Sequence, residues 1–238
     1  METLSIVIPA YNEEQRLPAT LDRICAYAER SPIPLDEILI VDDGSRDGTA
    51  ALAEARKGMI RLLRNPGNRG KGYAVRNGML AAKGDWILST DADLSAPIGE
   101  LEKLVAAARR ESAVVAIGSR ALDRKLVKVH QPMMREASGR AFNLVMRLIT
   151  GLPFRDTQCG FKLFRKDAAR EIFSRQIEEG FSFDVEDLMI ARALGLRSIE
   201  VPVEWSNVEG TKVSLTQGMK SFTDLVRIKG RAVRGKYK

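Results

Sequence analysis

The sequence is poor in the residues that several common types of active site require. It contains one histidine, His130, and two cysteines, Cys25 and Cys159. A Ser-His-Asp or Cys-His nucleophile, or a metal site of several histidines, would therefore depend on His130 alone. That histidine lies in the charged stretch LDRKLVKVHQP, which favours a surface position. The two cysteines lack metal-finger spacing and are too few for a disulfide framework, which is typical of a reducing cytoplasm.

Long apolar runs are also missing. No stretch of 18 or more apolar residues occurs, and the chain passes directly into LSIVIPAYNE without a basic region before it. The sequence therefore predicts neither a membrane-spanning helix nor a signal peptide. With 238 residues, of which 45% are hydrophobic and 29% charged, the chain has the size and composition of one globular domain over residues 1–238.

The charge is positive and unevenly distributed. The formal net charge is +7, and basic residues concentrate in RKLVKVH and in the C-terminal RIKGRAVRGKYK. A basic protein attracts polyanions, which include nucleic acids, anionic lipid surfaces and phosphorylated substrates. The sequence has no helix-turn-helix or RNP pattern and no basic strand with interleaved aromatic residues. We therefore predict no nucleic-acid partner.

Apolar runs alternate with amphipathic segments through the first half of the chain. The pattern predicts five strands, each followed by a helix or a turn, over residues 4–10, 37–43, 59–64, 85–90 and 113–120. This alternation predicts an α/β fold with a mostly parallel central sheet and helices on both faces. Beyond residue 120 we predict helices over 132–154 and FDVEDLMIARALG, and strands in CGFKLF and RSIEVPVEW, which complete the same domain.

Four polar motifs follow the predicted strands directly. PAYNE, DDGS, DAD and GSR each lie just past the carboxyl end of a strand. Right-handed crossovers bring such ends to one edge of a parallel sheet, where ligands bind in this class of fold. We therefore expect the four motifs to share one cleft.

Two of these stretches indicate phosphate chemistry. Asp91 and Asp93 of DAD either cap a strand end, as Asp often does, or hold a divalent cation with a phosphate behind it. NPGNRGKG, residues 65–72, is either a solvated turn or a phosphate contact made by backbone N–H groups and Lys71. It is not a Walker A loop. Val75 replaces the last glycine of a dinucleotide fingerprint, which disfavours a dehydrogenase.

Eight stretches together resemble one family. VIPAYNEEQRLP, VDDGSRDGT, NRGKGYAVRNG, TDADLS, GSR, RDTQCGFKLF, FSFDVEDL and VEGTKVS are similar to the family 2 glycosyltransferases of the Rossmann-like GT-A fold. More narrowly, they resemble the polyprenyl-phosphate branch, with the dolichyl-phosphate β-glucosyltransferases and, more distantly, the dolichol-phosphate mannose synthases. The likeness extends over about residues 4–225.

The resemblance implies a role for each matching position at the donor. The nucleotide base and ribose would be held by Pro9, Tyr11, Glu13, Val41 and Asp43. The diphosphate would face Asp91 and Asp93, with Asp93 the principal ligand of Mg²⁺ or Mn²⁺ and Asp91 the second. Lys71 and Arg76 would lie near the donor, and Lys212 would close over the diphosphate.

On the acceptor side, the resemblance implies that Arg120 and Arg135 meet the phosphate of the lipid. Asp156 and Gln158 would line the sugar. For Asp184 and Glu186 in FDVE, helix capping and a site role stay open as alternatives. Residues 1–120 would form the nucleotide-sugar-binding half, and residues 121–238 the acceptor-facing and membrane-facing half with a basic C-terminal helix.

The implied reaction is an inverting, metal-dependent transfer of glucose from UDP-glucose to a polyprenyl or dolichyl phosphate. A phosphate acceptor needs no general base, because its second pKa of about 6 leaves it largely ionised at neutral pH. The alternatives are GDP-mannose as donor, a soluble saccharide as acceptor, or a non-catalytic nucleotide sensor. The mannose synthases carry Arg six residues before the EGTK-like lysine, where this chain has Ser206, which weakens the mannosyl alternative.

The predicted location is cytoplasmic, with peripheral attachment to the membrane. The helix within 132–150 combines apolar and basic residues, and it either lies on an anionic bilayer or is an ordinary amphipathic core helix. The sequence contains no signal for an oligomeric state.

Overall fold

The computed structural model describes residues 2–56, 58–130, 133–208 and 215–238; within 134–142 and 215–222 it describes the backbone and few of the side chains. Within these ranges, seven strands form the central sheet: β1 Leu4–Ala10, β2 Leu35–Asp42, β3 Ile60–Arg64, β4 Trp86–Ser89, β5 Val115–Ser119, β7 Lys162–Arg165 and β8 Ser198–Pro202. Two short strands, β6 Val127–Val129 and β9 Trp205–Ser206, form a second sheet.

The central sheet has the strand order β3-β2-β1-β4-β7-β5-β8. Its strands pair in parallel, except that β7 runs antiparallel to both of its neighbours, β4 and β5. The mostly parallel sheet is thus confirmed. CGFKLF does contain a strand, and its antiparallel register places Lys162 opposite Ser89, the last residue of β4.

In the described part of the chain, eight α-helices cover the sheet: α1 Leu17–Ala28, α2 Thr49–Ala55, α3 Lys71–Ala81, α4 Leu101–Arg110, α5 Met133–Thr150, α6 Lys166–Arg175, α7 Phe183–Ala193 and α8 Leu215–Val233. Two apolar cores result. In the first core, α1 and α4 pack on one face of the sheet. In the second core, α3, α6 and α7 pack on the opposite face, together with Leu225 and Ile228 of α8. Strands such as LSIVIPA are buried on both faces, which explains their near-continuous apolar sequence.

The helix after the glycine-rich loop begins at Lys71, the last cation of that loop. Gly70 precedes it with a φ of 117°, a conformation that L-residues with a Cβ rarely adopt. Farther along α3, a Cβ on Gly78 would lie 2.8 Å from Val41 Cγ2, so glycine allows the helix to pack directly on the sheet. This close packing brings the start of α3 to the edge of the sheet.

No helix in the described part of the chain is both long and apolar enough to span a bilayer.

Candidate active site

The four polar motifs meet at one edge of the sheet, as the alternation of strands and helices in the sequence predicted. β1, β2, β4 and β5 are mutually parallel in direction, and each is followed by one of the motifs. Backbone hydrogen bonds join neighbouring strand ends there, from Asp43 N to Ala10 O at 2.9 Å and from Thr90 N to Val7 O at 3.0 Å. The edge is therefore a continuous surface on which the four motifs lie side by side.

Asp43 holds the glycine-rich loop in place. Its buried carboxylate accepts hydrogen bonds from Asn65 Nδ2 at 2.8 Å, from Gly70 N at 2.7 Å and from Arg69 N at 3.2 Å. An anion that receives several N–H donors is fixed in orientation and stabilises the loop that supplies them. Its contact with a nucleotide stays a prediction, while its contact with the loop is part of the fold.

Lys71 and Asp91 form an ion pair at the centre of this edge. Lys71 Nζ lies 2.6 Å from Asp91 Oδ1. Burial opposes the charge on Lys71, but the carboxylates of Asp91, Asp184 and Asp93 outweigh it and raise the pKa of the ammonium. Burial likewise opposes the charge on Asp91, but Lys71 and Arg120 lower its pKa, so both groups are held in their ionised forms.

The carboxylate of Asp91 rests against the backbone of Gly160, where a Cβ would lie 2.6 Å from Asp91 Cγ. Glycine at this position of CGFKLF therefore makes room for the ion pair. Asp93, two residues further along the loop, uses Oδ1 to accept a hydrogen bond from Ser95 N at 2.9 Å.

Asp91 and Asp93 are the residues that could hold a divalent cation. Two carboxylates on one loop fit Mg²⁺ or Mn²⁺ when waters and substrate phosphates complete the coordination, which is how Mg²⁺ is usually bound. A closed protein cage would need more ligands, and within the described ranges no cluster of three or more His, Cys, Asp or Glu could hold a metal. The donor set therefore fits a cation shared with a diphosphate.

A second layer of charge lies beneath the Lys71–Asp91 pair. Lys162 of β7 is almost fully buried and pairs with Asp184 of α7, which is also buried. Burial raises the pKa of Asp184, although Lys162 and Lys71 act in the opposite direction. Sequence reasoning missed Lys162, and the available signal was a lysine at a buried position of the predicted strand in CGFKLF.

Asp187 lies one helical turn after Asp184 and is fully enclosed. Its two carboxylate oxygens accept no hydrogen bond from the described residues. Burial raises the pKa of Asp187 well above its ordinary value, and Asp184 and Glu186 add to the rise while Lys162 opposes it. The group is therefore held in its neutral form over a wider pH range than a surface carboxyl group.

Arg120 and Asp156 form the third charged contact of the site. Arg120 Nε and Nη2 lie 2.6 Å and 2.8 Å from the two oxygens of Asp156, and Arg120 N donates a further hydrogen bond at 3.0 Å. The guanidinium also lies over the Trp205 ring, 5.3 Å from its centroid. Burial opposes the charge on Asp156, but Arg120 outweighs it and lowers the pKa of this carboxylate.

Other predicted site residues lie at the same edge or next to it. Pro9 and Val41 are register partners at the ends of β1 and β2, with Tyr11 and Glu13 in the loop that follows β1. Gln158 N donates to Asp156 Oδ1 at 3.2 Å. Arg76, on α3, donates to Gln176 O at 3.2 Å.

For two predicted site residues, the structure does not describe the side chain. Lys212 lies outside the described residues, and Arg135 belongs to α5 but its side chain lies outside the description. Neither residue of FDVE caps its helix in the contacts described, because Asp184 pairs with Lys162 and Glu186 accepts hydrogen bonds from the amides of Ile177 and Glu178. A site role for the two residues stays a prediction.

The sequence matches the family described as glycosyl transferase family 2 over residues 5–173. The dolichyl-phosphate beta-glucosyltransferase of Drosophila melanogaster is 38% identical over 225 residues, which cover 89% of this chain and 69% of the relative. The protein of the same name from Homo sapiens is 34% identical over 250 residues, which cover 99% of this chain and 77% of the relative.

Solved structures of glycosyltransferases share the fold. Mannosyl-3-phosphoglycerate synthase from Rubrobacter xylanophilus superposes with a TM-score of 0.71 at 21% identity, over 98% of this chain and 74% of that one. Glucosyl-3-phosphoglycerate synthase from Mycobacterium tuberculosis was solved in complex with Mn²⁺, UDP-glucose and phosphoglyceric acid. It superposes with a TM-score of 0.71 at 19% identity, over 96% of this chain and 80% of that one. At these identities the likeness establishes the GT-A fold.

The sheet edge with its paired charges, the matching family and the relatives lead to one conclusion: this chain is an enzyme of glycosyltransferase family 2, and it belongs to the part of that family that contains the dolichyl-phosphate beta-glucosyltransferases.

Proposed function

We propose that the enzyme transfers glucose from UDP-glucose to a polyprenyl phosphate such as dolichyl phosphate, with inversion at the anomeric carbon. The observation that carries this proposal is the pair of cations, Lys71 and Arg120, at one edge of the sheet. A transferase that joins a nucleoside diphosphate sugar to a phosphate must bring two anions together, and each anion needs its own cation. The names of the relatives support the choice of glucose and of dolichyl phosphate.

At the donor, the chain supplies the start of α3, the ammonium of Lys71 and the carboxylates of the DAD loop. Asp93, with Asp91, would hold Mg²⁺ or Mn²⁺, which when bound neutralises the charge that develops on the nucleoside diphosphate as it leaves. Asp91 holds the Lys71 ammonium at the sheet edge. From there the ammonium can contact a diphosphate, with the positive end of the α3 dipole behind it.

At the acceptor, Arg120 presents the part of its guanidinium that Asp156 does not use. Asp156 accepts hydrogen bonds from Nε and Nη2, so Nη1 is the nitrogen that would donate to a phosphate. Arg135 is the second candidate for this phosphate. An acceptor phosphate oxygen attacks the anomeric carbon, and the bond from that carbon to the diphosphate oxygen breaks with its electron pair. In-line attack converts an α-linked donor into a β-linked product.

We also propose that the acceptor-facing half, residues 121–238, rests on a membrane surface. Among the large apolar residues described, the three most exposed are Met133 and Leu148 of α5 and Val233 of α8. Arg147 and Arg234 are exposed beside them. Apolar side chains bordered by cations are suited to the interface of an anionic bilayer.

The first experiment is transfer of labelled glucose from UDP-glucose, and of labelled mannose from GDP-mannose, to a short polyprenyl phosphate with Mg²⁺ or Mn²⁺. We expect a glucosyl lipid from UDP-glucose alone, and none after EDTA or in Asp93→Asn. Asp123→Asn, in an exposed loop, is the matched control and should retain activity. A mannosyl lipid alone would overturn the donor, and release of the nucleotide without a lipid product would overturn the acceptor.

The membrane proposal has its own assay. Sedimentation with anionic vesicles at low salt should carry the enzyme into the pellet, and the double variant Leu144→Ser, Leu148→Ser should remain in solution. Leu80→Ser on α3 removes an apolar side chain that is 41% exposed and lies on another helix, and this variant should still sediment. Equal sedimentation of both variants would contradict a role for α5.

A further inference from the structure

Glu186 joins three separate parts of the chain. It lies in the first turn of α7, and its carboxylate is fully buried. Oε2 accepts hydrogen bonds from the amides of Ile177 at 2.8 Å and Glu178 at 2.6 Å. Oε1 accepts from the Tyr237 hydroxyl at 2.7 Å and from Arg231 Nη1 at 3.1 Å. One carboxylate therefore ties α7 to the α6–α7 loop, residues 176–182, and to the chain at the end of α8.

The α6–α7 loop is in turn packed against the glycine-rich loop. Tyr73 N donates to Glu179 O at 3.1 Å, and Gln176 Nε2 donates to Gly72 O at 3.0 Å. A Cβ on Gly72 would lie 2.6 Å from Glu178 O, and a Cβ on Gly70 would lie 2.5 Å from Glu179 O. The two residues that flank Lys71 thus rest on the backbone that Glu186 holds.

We propose that Glu186 is a positioning residue for Lys71, acting through the α6–α7 loop. Tyr237 and Arg231 orient the Glu186 carboxylate, the carboxylate fixes the amides of 177 and 178, and this loop supports the start of α3. The result is the approach of Lys71 to Asp91 at 2.6 Å. The four hydrogen bonds described for Glu186 go to residues outside the four motifs of the sheet edge. The inference rests on the proposed function only in so far as Lys71 meets the donor.

The chemistry of position 186 requires a carboxylate. All four of its partners are N–H or O–H donors, and an ionised carboxylate has acceptor sites for all of them. A glutamine has one oxygen, and its amide nitrogen would face donors that it cannot accept from. Arg231 adds a second contact, because Nη1 also lies 2.6 Å from Glu178 Oε1 in the same loop.

The test compares conservative variants by steady-state kinetics. Tyr237→Phe removes one hydrogen bond to Glu186 and keeps the buried ring, and we expect the donor KM to rise about fivefold while the acceptor KM changes less than about twofold. Glu186→Gln should have a larger effect in the same direction. Tyr27→Phe is the matched control, because Tyr27 is a buried tyrosine in the core on the opposite face of the sheet. A merely structural role would alter both KM values together.

A second readout needs no substrate. Hydrogen exchange of the peptide that contains residues 69–75 should be faster in Tyr237→Phe and Arg231→Lys than in wild type, and unchanged in Tyr27→Phe. Unchanged exchange in all variants would overturn the proposal, even if the enzyme transfers glucose. Faster exchange without transfer from any donor would support the positioning role and would contradict the proposed function instead.

Discussion

The two ion pairs at the sheet edge differ in how tightly they are held. Lys71 contacts Asp91 through one nitrogen, and the side chain of Asp91 is 37% exposed. Arg120 contacts Asp156 through two nitrogens and its backbone amide, and the side chain of Asp156 is 2% exposed. An ammonium on a flexible stem can exchange one partner for another, whereas a guanidinium fork against a buried carboxylate cannot do so easily.

The difference indicates separate tasks. The Lys71–Asp91 pair is open enough for a diphosphate to take over the ammonium, so we expect its mutation to affect turnover. The Arg120–Asp156 pair fixes the direction of a cation, so we expect its mutation to affect the fold as well as the reaction. The predictions below test that distinction.

The largest expected effect is a loss of turnover when the Lys71–Asp91 pair is broken. Asp91→Asn should lower kcat by about a thousandfold, because the charge that holds Lys71, and that faces the cation in the proposed mechanism, is lost. The melting temperature should change little, since the carboxylate is partly exposed. Asp22→Asn removes one side of the exposed Arg56–Asp22 pair and serves as the control. A fall in melting temperature with wild-type kcat would contradict the assignment.

For the Arg120–Asp156 pair, the largest expected change is in the stability of the fold. Asp156→Asn leaves the Arg120 charge without its buried partner, and we expect the free energy of unfolding to fall by about 3 kcal/mol at pH 7 in urea denaturation. The pKa of Asp156 is lowered in the fold, so this contribution is present above about pH 4 and disappears as the pH falls through the folded-state pKa.

The chain offers a closely matched control for this variant. Arg165 and Asp167 form the same two-nitrogen contact, at 2.7 Å and 2.6 Å, but both side chains are at least half exposed. Asp167→Asn should therefore cost less than about 1 kcal/mol. Equal losses in the two variants would show that burial does not distinguish the pairs.

A smaller effect is expected from the glycine behind Asp91. Gly160→Ala adds a Cβ at a position where the Asp91 carboxylate now lies, and the carboxylate must shift. Because the displaced group is the end of a side chain, we expect kcat to fall about tenfold with little change in melting temperature. Gly99→Ala, where an added Cβ meets nothing within 4 Å, should leave kcat unchanged.

The smallest expected effect concerns Asp187, the buried carboxyl group beside Lys162. Its pKa is raised in the fold, so the folded state binds the proton more tightly than the unfolded chain does, and stability is lost as the pH rises above about 4 toward the folded-state pKa. Asp187→Asn has no proton to lose. We expect it to be more stable than wild type by about 1 kcal/mol at pH 8, with the advantage absent at pH 4. A variant less stable than wild type at both pH values would contradict this.

Much of the fold could be predicted because its signals are local. The apolar runs of β1, β2, β4 and β5, each followed by a polar motif, were enough to predict a parallel sheet and a shared edge. α6 and the direction of β7 were not predicted. The direction of β7 depends on the path of the chain between α5 and that strand. Local sequence patterns do not predict this path.

The candidate site was predictable as a set of residues and not as a set of contacts. Lys71, Asp91, Arg120 and Asp156 were all singled out, yet nothing in their spacing indicates that they form two ion pairs. Glu186 stayed ambiguous for the same reason, because its partners lie up to 51 residues away along the chain.

By itself the sequence determined the α/β class, the motifs at the strand ends and the family, because periodicity and motif spacing depend only on residues that are close together in the chain. Only the tertiary structure decided which charges pair, that Lys162 is buried, and that Tyr237 and Arg231 reach Glu186 behind the glycine-rich loop. These outcomes depend on distances between segments that are remote in sequence. Those distances are set by the packing of helices and strands against one another.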